Sequence, residues 1–259
     1  VLLLSPMYGE YSHILQHVIS CHITYFVLED ANGFAIHPED LVAQACEHDA
    51  VILVNPNSPT GVYCEAMKDI VSRIAHSRNS DSKCKMIWVD ETYINYLPDA
   101  VSLEPLCGSL PELVVCKSMS KCYALSGLRV AYAVSQNMST LRRYIPPWAV
   151  SLPGQLAAVA ALRNPAYYAA QYGIIHQQRA AMQTTLEGLG FRVFSGVANY
   201  LLTYLPASSG FTSTQFIETC RTQGLFVRDA QNMGVMLPNN AVRFAVRSPE
   251  ENEKMLSIV

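Results

Sequence analysis

Two charged side chains, a lysine and an aspartate, each follow an apolar stretch of the sequence and are of residue types that take part in catalysis. The first is Lys121, which stands in Ser118-Met119-Ser120-Lys121, after an apolar run and before the small residues at 124–127. A lysine that is partly removed from water has a lowered pKa and can act as a nucleophile toward a carbonyl group. The alternative is a lysine of an ordinary surface loop, whose stem packs while its ammonium stays in water.

The second side chain is Asp90, which ends the apolar run at 86–89 and is followed three residues later by Tyr93. A carboxylate at the end of a buried strand commonly caps the next element. Its functional interpretation is a partner for a protonated ring nitrogen, such as that of pyridoxal phosphate, whose pyridinium acts as an electron sink. Tyr93 then either donates its hydroxyl to the same ring or is an aromatic packing residue.

These side chains need a scaffold, and the first part of the chain alternates apolar runs with helix-like segments. The predicted strands are 23–28, 51–54, 85–90, 113–116 and 128–134, with helices predicted over 38–47 and 65–77. This alternation predicts an α/β sheet with helices on both faces. In such a sheet ligands bind beyond the carboxyl ends of the strands. The polar segments 55–61, 90–93 and 118–121 follow three of these strands, so we expect them to converge.

The second part of the chain predicts a smaller α+β unit. Its predicted helices are 153–162, 166–189, 212–223 and 250–259, and its predicted strands are 191–194, 199–205, 225–228 and 242–246. The helix over 166–189 is long enough to connect two domains. We therefore expect a cofactor-binding domain over 1–175 and a C-terminal domain over 176–259.

Composition excludes several classes of function. The 259 residues carry a net charge of −3, so no basic surplus points to nucleic acid or anionic lipid. No apolar run approaches the roughly 18 residues of a membrane helix, and the apolar first four residues lack the flanks of a signal peptide. None of the eight cysteines has C-x-x-C or metal-ligand spacing. Free thiols in a reducing, cytoplasmic compartment and no metal are therefore predicted, with zinc and disulfides as alternatives.

Four segments carry a resemblance to a known family. They are N-P-N-S-P-T-G at 55–61, W-V-D-E-T-Y at 88–93, S-M-S-K-C-Y-A-L-S-G-L-R at 118–129 and V-R-F-A-V-R-S-P-E-E-N at 242–252. In this order and spacing they resemble the fold-type I pyridoxal-phosphate enzymes of the class I/II aminotransferase group. The resemblance implies a large domain with a mixed, mostly parallel sheet flanked by helices, and pyridoxal phosphate as cofactor. It favours the catalytic interpretations of Lys121 and Asp90.

The resemblance also implies roles for individual residues. Lys121 corresponds to the lysine that forms an aldimine with the cofactor, Asp90 to the partner of the pyridine nitrogen, and Tyr93 to the tyrosine that hydrogen-bonds the ring hydroxyl. The other cofactor-binding candidates are Tyr8, Asn57, Ser58, Ser118, Ser120 and Arg129. Among these, Tyr8 corresponds to the aromatic residue that stacks on the ring. Ser118 and Arg129 correspond to groups that hold the phosphate, for which arginine is suited by its permanent charge.

Two departures from the family pattern bear on the cofactor. Ser58 stands where the family usually has the asparagine that bonds the ring hydroxyl, and Asn57 lies one position earlier. A serine hydroxyl can still donate, but its reach is shorter. The match also begins partway into the family's large domain. The family's upstream segment supplies a glycine/serine loop at a helix N-terminus for the phosphate, and without such a loop we expect lower cofactor affinity.

Three further segments narrow the resemblance to one branch of the family. P-W-A-V at 147–150, A-N-Y-L-L at 198–202 and V-R-D at 227–229 resemble histidinol-phosphate aminotransferases and threonine-phosphate decarboxylases. Arg243 corresponds to the arginine that binds an anionic substrate group, commonly the α-carboxylate, and Arg228 is a second candidate for anion binding. The alternatives are a strand-edge salt bridge for Arg243, and pairing of Arg228 with Asp229 or Glu250.

The favoured function is transamination of an amino acid or phosphorylated amine, with Lys121 as the covalent attachment point and the proton-transfer group. Decarboxylation of a phospho-amino acid is the competing enzyme function, since only the orientation of one substrate bond separates the two reactions. A noncatalytic binding module with a degraded cofactor site is the third hypothesis. The resemblance further implies a homodimer with a small-molecule amino substrate, and neither nucleic acid nor membrane is an expected partner.

Overall fold

A six-stranded sheet forms the centre of the computed structural model, which describes residues 1–77 and 82–259. Its strands are β1 (Leu2–Ser5), β2 (Thr24–Val27), β3 (Ala50–Val54), β4 (Met86–Asp90), β5 (Leu113–Ser118) and β6 (Ala131–Val134). The spatial order is β2-β1-β3-β4-β5-β6. Strands β1 to β5 are parallel and β6 is antiparallel to β5, so the predicted mixed, mostly parallel sheet is confirmed.

Helices account for the continuous burial of the central strands. Every residue of β1 and of β3 is buried, which is typical of parallel strands covered on both faces. The helices of this part of the chain are α1 (Gly9–His13), α2 (Pro38–Cys46), α3 (Met67–His76), α4 (Met138–Leu141), α5 (Leu152–Leu162) and α6 (Pro165–Gly188). The sequence analysis did not predict β1, because an apolar run of four residues is too short to show a period.

The strand predicted over 128–134 begins later than expected. Ser126–Leu128 forms a 3₁₀ turn, and Arg129 follows it with a φ of +54°. A left-handed backbone cannot continue a strand, so β6 starts at Ala131. In the other direction, β5 extends two residues past its predicted end, to Ser118, because its last residues pair with β6.

A second, antiparallel sheet follows α6. Its strands are β7 (Arg192–Val193), β8 (Tyr200–Tyr204), β9 (Arg228–Asp229) and β10 (Ala241–Ala245), in the order β7-β8-β10-β9. Helices α7 (Ser213–Thr222) and α8 (Pro249–Ile258) each begin with a capping box, from Thr212 and Ser248 respectively. The predicted domain boundary near residue 175 falls inside α6 and stays a prediction.

Loops of the second sheet pack directly on the carboxyl edge of the first. The amide of Val197 donates to the carbonyl oxygen of Gly61 at 2.8 Å, and the amide of Met7 donates to that of Met233 at 3.0 Å. Beside the first contact, Gly196 lies so close to the Gly61 backbone that a Cβ there would be 2.9 Å from the Gly61 Cα. The absence of a side chain therefore permits this approach.

The structure also bears on the membrane, metal and disulfide alternatives raised by the composition. Among the residues described, none of the helices combines the length and the apolar character that spanning a membrane requires. Within the same ranges, no group of three or more histidine, cysteine or acidic side chains is arranged to hold a metal ion. All eight cysteines of the chain are free thiols.

A buried ion cluster lies behind the carboxyl ends of β4 and β5. The Lys117 Nζ is 3.2 Å from the Glu91 Oε2 and 2.7 Å from the Glu104 Oε1. It also donates to the Ser102 Oγ at 3.0 Å, and the Ser102 hydroxyl donates to the Glu91 Oε2 at 2.6 Å. Glu91 is only 1% exposed, so this cluster joins the two strand ends inside the protein.

We expect Lys117→Met to lower the free energy of unfolding by about 3–5 kcal/mol, because it leaves the buried Glu91 carboxylate without a cation. Urea denaturation followed by circular dichroism measures the change. Lys85→Met is the matched control, since Lys85 pairs with Asp49 at an exposed site and such pairs contribute little. Equal effects of the two substitutions would contradict a structural role for the cluster.

Candidate active site

The predicted convergence of polar segments is present in the structure. Backbone hydrogen bonds connect the residues that follow the strands. The backbone amide of Asn55 donates to the Asp90 carbonyl oxygen at 2.9 Å, and that of Glu91 donates to the Cys116 carbonyl oxygen at 2.8 Å. The Asn57 side-chain amide donates to the Pro6 carbonyl oxygen at 3.0 Å, which joins the loop after β3 to the loop after β1. The carboxyl ends of four parallel strands thus meet at one edge.

Thr92 connects the loop after β4 to the turn that contains Lys121. Its hydroxyl accepts the Ser118 amide at 3.1 Å, and its carbonyl oxygen accepts the Cys122 thiol at 3.1 Å. Its own amide donates to the Asp90 Oδ1 at 2.9 Å. Thr92 therefore links Asp90 directly to the Lys121 turn.

The Asp90 carboxylate has a partner on each oxygen. The bond from the Thr92 amide to Oδ1 is the capping interaction expected of a carboxylate at a strand end. The second oxygen, Oδ2, accepts the Tyr11 hydroxyl at 2.8 Å, and the indole N–H of Trp88 donates to the Tyr11 oxygen at 3.1 Å. Capping and a fixed orientation at the sheet edge are therefore both present.

The contact with Tyr11 was missed in the sequence analysis, although Tyr11 belongs to the same short segment as Tyr8. Burial, followed by the negative charge of Asp90, raises the pKa of the Tyr11 hydroxyl far above its ordinary range. The hydroxyl is therefore always protonated and acts as a donor to the carboxylate. The spacing of three residues between two tyrosines at the start of a helix was the available signal.

Lys121 lies in the turn after β5. Partial desolvation lowers the pKa of its amine, and the positive charges of Arg243 and Arg129 lower it further. Among the described residues, no carboxylate or hydrogen-bond acceptor is paired with this amine. An uncommitted amine with a lowered pKa is chemically a nucleophile and a proton carrier.

Tyr93 and Ser58 are packed together at the back of the site. Burial, followed by the charge of Asp90, raises the pKa of Tyr93 to about 12, although Arg243 and the Ser58 hydroxyl oppose this shift. The Tyr93 ring packs edge-on against Tyr200, with 5.3 Å between ring centroids. Ser58 is 2% exposed, and its Oγ accepts the Arg243 guanidinium at 3.4 Å.

Asn57 presents a buried oxygen that lacks a partner. Its amide nitrogen is engaged with Pro6, whereas its Oδ1 has no hydrogen bond among the described residues. A buried acceptor of this kind is destabilising unless a ligand or water supplies a donor. It is therefore a candidate contact for a bound molecule.

The serine and arginine candidates surround the Lys121 turn. The hydroxyls of Ser118 and Ser120 are hydrogen-bonded to each other at 2.8 Å. Arg129 is exposed and donates from Nη1 to the Ser126 oxygen at 3.1 Å. Its positive φ is a strained conformation for a residue with a side chain, a feature that is common at functional sites.

Arg243 does not lie on an edge strand. It lies on β10, which has β8 on one side and β9 on the other, and its guanidinium packs 4.7 Å from the centroid of the Tyr200 ring. No carboxylate pairs with it in the part of the chain that the structure describes. The salt-bridge interpretation of Arg243 is therefore wrong.

Two predicted site residues, Tyr8 and Arg228, make no direct side-chain contact with the Lys121 turn among the described residues. Tyr8 is 47% exposed, and its ring contact is with Tyr11, 6.3 Å away edge-on. Arg228 is directly opposite Arg243 in the register of β9 and β10 and lines a cavity of about 240 Å³ beside α7. Asp229 is engaged with Ser213 and Gln231, and no described acid pairs with Arg228. The pairing alternatives for Arg228 are thus not realised.

The donor set at this edge fits pyridoxal phosphate. That molecule needs an amine for its aldehyde, an anion for its ring nitrogen and cationic or hydroxyl groups for its phosphate. Lys121 is an uncommitted amine, Asp90 is an oriented carboxylate, and the unpaired Asn57 oxygen can accept from a ligand. Ser118 and Arg129 supply the remaining donors beside Lys121.

Comparison with known proteins assigns the chain to a family. The sequence profile of the family described as aminotransferase class I and II matches residues 1–259. The chain belongs to the class I and II aminotransferases. This confirms the resemblance inferred from the four motifs. Because enzymes of this family depend on pyridoxal phosphate, it also confirms the expected cofactor and the expectation of an enzyme.

The similar members of this aminotransferase family include two activities. A threonine-phosphate decarboxylase of Salmonella typhimurium is 28% identical over 264 residues, covering 99% of this chain and 69% of that protein. A histidinol-phosphate aminotransferase of Pasteurella multocida is 26% identical, covering 100% of this chain and 71% of that protein. Both branches named by the sequence analysis are thus represented.

Solved structures of aminotransferases share the fold. The histidinol-phosphate aminotransferase of Clostridium acetobutylicum superimposes with a TM-score of 0.87 at 23% identity, covering 99% of this chain and 75% of that one. A decarboxylase of Sulfurospirillum multivorans gives a TM-score of 0.84 at 21% identity, covering 99% and 73%. At these identities the likeness concerns the fold alone.

We expect Tyr11→Phe to weaken binding of pyridoxal phosphate about tenfold, because Asp90 loses the donor that orients its Oδ2. Titration of the aminotransferase with the cofactor, followed by absorbance, measures the dissociation constant. Tyr25→Phe is the control, because Tyr25 is a half-exposed residue of β2 without a side-chain hydrogen bond among the described residues. Unchanged affinity in Tyr11→Phe would show that Asp90 is oriented without it.

Proposed function

We propose that this aminotransferase transfers the amino group of a small phosphorylated amino compound to a 2-oxo acid. The observation that carries the proposal is the Lys121 amine, which is uncommitted, has a lowered pKa and lies near the guanidinium groups of Arg243 and Arg129. The lowered pKa makes the neutral, nucleophilic form more accessible near neutral pH.

Each residue then has a defined task. When bound, pyridoxal phosphate supplies the electron-withdrawing ring that stabilises negative charge at the substrate Cα. Lys121 holds the cofactor and moves a proton at the substrate Cα with its Nζ. Asp90, held by Tyr11 and Thr92, presents a carboxylate to the ring nitrogen. Tyr93 remains protonated at neutral pH because its pKa is raised, so it acts as a hydrogen-bond donor to the ring hydroxyl.

The two arginines of the second sheet support a substrate with two anionic groups. Arg243 and Arg228 are opposite each other on neighbouring strands, and residues in that relation lie on the same face of a sheet. Since neither has an acidic partner among the described residues, each is free to bind an anion. A carboxylate at Arg243 and a phosphate at Arg228 meet this requirement.

Decarboxylation is the second candidate, favoured by the similarity to the threonine-phosphate decarboxylase of Salmonella typhimurium. The same side chains serve both reactions. In decarboxylation the bond to the substrate carboxylate breaks, whereas in transamination the bond to the Cα proton breaks. Arg243 therefore has a different task in each, because it orients a group that either stays or leaves.

Assembly and location are also part of the proposal. A homodimer is typical of the family, and we propose one for this chain. The cytoplasm is proposed as its location, because free thiols such as the buried Cys122 and Cys220 are stable in a reducing compartment.

Covalent labelling tests the role of Lys121. We expect incubation with pyridoxal phosphate and reduction with borohydride to add the mass of the reduced cofactor to the peptide that contains Lys121. Lys121→Ala should abolish this label, whereas Lys85→Ala, at an exposed site, should leave it unchanged. Peptide mass spectrometry measures the result. No label, or equal labelling of many lysines, would favour the noncatalytic binding module.

Product analysis separates the two reactions. The enzyme is incubated with O-phospho-L-threonine, which carries both a carboxylate and a phosphate, with and without a 2-oxo acid. Conversion of the 2-oxo acid to an amino acid supports transamination. Release of carbon dioxide without any acceptor supports decarboxylation and overturns the main proposal.

We expect Arg228→Gln to raise the KM for the phosphorylated substrate by about tenfold or more, because a charge-assisted bond to phosphate is lost. Steady-state kinetics at fixed acceptor concentration measures the change. Arg247→Gln is the control, since Arg247 is an exposed arginine that pairs with Glu251. Equal effects of the two substitutions would show that Arg228 has no specific role in phosphate binding.

A further inference from the structure

Tyr200 contacts several parts of the candidate site, although no role has yet been assigned to it. It is the first residue of β8, in the second sheet, and only 4% of it is exposed. Its side chain touches Arg243, the backbone of Asn57 and the ring of Tyr93. These three neighbours belong to β10, to the loop between β3 and α3 and to the segment after β4.

The ring of Tyr200 supports the Arg243 guanidinium. The Arg243 Cζ lies 4.7 Å from the ring centroid, a distance at which a cation is attracted to an aromatic face. The other side-chain contact of Arg243 is the long bond to Ser58 at 3.4 Å. Since no carboxylate orients this guanidinium in the described structure, the ring is the larger constraint on its position.

The hydroxyl of Tyr200 fixes the same ring to the loop at 55–61. It donates to the Asn57 carbonyl oxygen at 2.8 Å, and that oxygen also accepts the Gly61 amide at 2.7 Å. Burial raises the pKa of Tyr200 well above its ordinary value, so the hydroxyl remains a donor. The Asn57 oxygen is thus held between the loop and the second sheet.

The Tyr93 contact completes the arrangement. The two rings meet edge to face, with an interplanar angle of 88° and 5.3 Å between centroids. This geometry is favourable for aromatic pairs and permits little rotation of either ring. A displacement of Tyr200 therefore moves Arg243, the Asn57 loop and Tyr93 together.

We propose that Tyr200 is a positioning residue that sets the Arg243 guanidinium relative to the Asn57–Ser58 loop and thereby determines affinity for the substrate carboxylate. This inference rests on the proposed function, because it takes Arg243 as the carboxylate-binding group. The ring and the hydroxyl have separable tasks: the ring supports the guanidinium, and the hydroxyl anchors the loop.

Two substitutions separate these tasks. Tyr200→Leu removes both the ring and the hydroxyl, and we expect the dissociation constant of O-phospho-L-threonine for the cofactor-loaded enzyme to rise at least about tenfold. Tyr200→Phe restores the ring, and the constant should return to within about threefold of the unchanged enzyme. In Tyr200→Leu the dissociation constant of pyridoxal phosphate should rise by a smaller factor than that of O-phospho-L-threonine, because Lys121 and Asp90 still hold the cofactor whereas Arg243 has lost its support. General destabilisation does not produce this split.

A double substitution tests the coupling to Arg243. In an Arg243→Met background, Tyr200→Leu should add little to the loss of O-phospho-L-threonine binding, because the supported group is already gone. Additive losses would overturn the proposal. So would a Tyr200→Leu enzyme that binds O-phospho-L-threonine as tightly as the unchanged enzyme. Tyr204→Phe, a tyrosine of the same strand that packs against Phe194, is the control.

Hydrogen exchange gives a readout that needs neither cofactor nor substrate. In Tyr200→Phe the amides of Gly61 and Val197 should exchange faster, because the Asn57 carbonyl has lost its anchor. Unchanged exchange would overturn the proposed anchoring. The covalent label on Lys121 is measured on the same preparations. If the enzyme without substitutions carries no label, the proposed function fails. If the label is normal but Tyr200→Phe does not change amide exchange, only the inference on Tyr200 fails.

Discussion

The site depends on the connection between the carboxyl ends of β4 and β5. Thr92 makes this connection with three hydrogen bonds, to Asp90, Ser118 and Cys122, and the buried Lys117 pairs with Glu91 and Glu104 behind it. Parallel strands bring their ends to one edge, but that alone leaves the following loops free to diverge. Because these contacts join the loops, the carboxylate at one strand end and the amine after the next have a fixed relation.

Charge is distributed unevenly between the two sides of this connection. On the buried side Lys117 has two carboxylates within ion-pairing distance, so its charge is compensated. On the open side Lys121 lies near Arg243 and Arg129, which lower its pKa, and none of the three has an acidic partner among the described residues. The structural cation Lys117 is thus compensated by carboxylates, whereas the three cations proposed to bind cofactor and substrate are not.

The sequence predicted the sheet well and the site's internal contacts poorly, for physical reasons. Alternating apolar runs predict parallel strands, and residues that follow strand ends meet at one edge whatever the loops do. Such reasoning singled out Asp90 and Lys121 as candidates, and the family resemblance then favoured their catalytic interpretations over a capping carboxylate and a surface lysine. The contacts of Tyr11 with Asp90 and of Tyr200 with Asn57 join residues 79 and 143 positions apart, and no local pattern encodes a pairing of that range. Likewise, only the register of β9 and β10 shows that Arg228 is opposite Arg243.

The same charge distribution argues against a site that has lost its ligands. Keeping Lys121, Arg243 and Arg129 together without an acid is destabilising, because each cation repels the others. A chain that binds no anion at this edge would gain stability from a neutral or acidic replacement at any of these positions. Anionic ligands remove the repulsion when they bind, so the arrangement is favourable only in a protein that has such ligands. A cofactor phosphate and a substrate carboxylate would be anions of this kind, and Asp90, at the end of β4, would balance the cationic ring nitrogen of the cofactor.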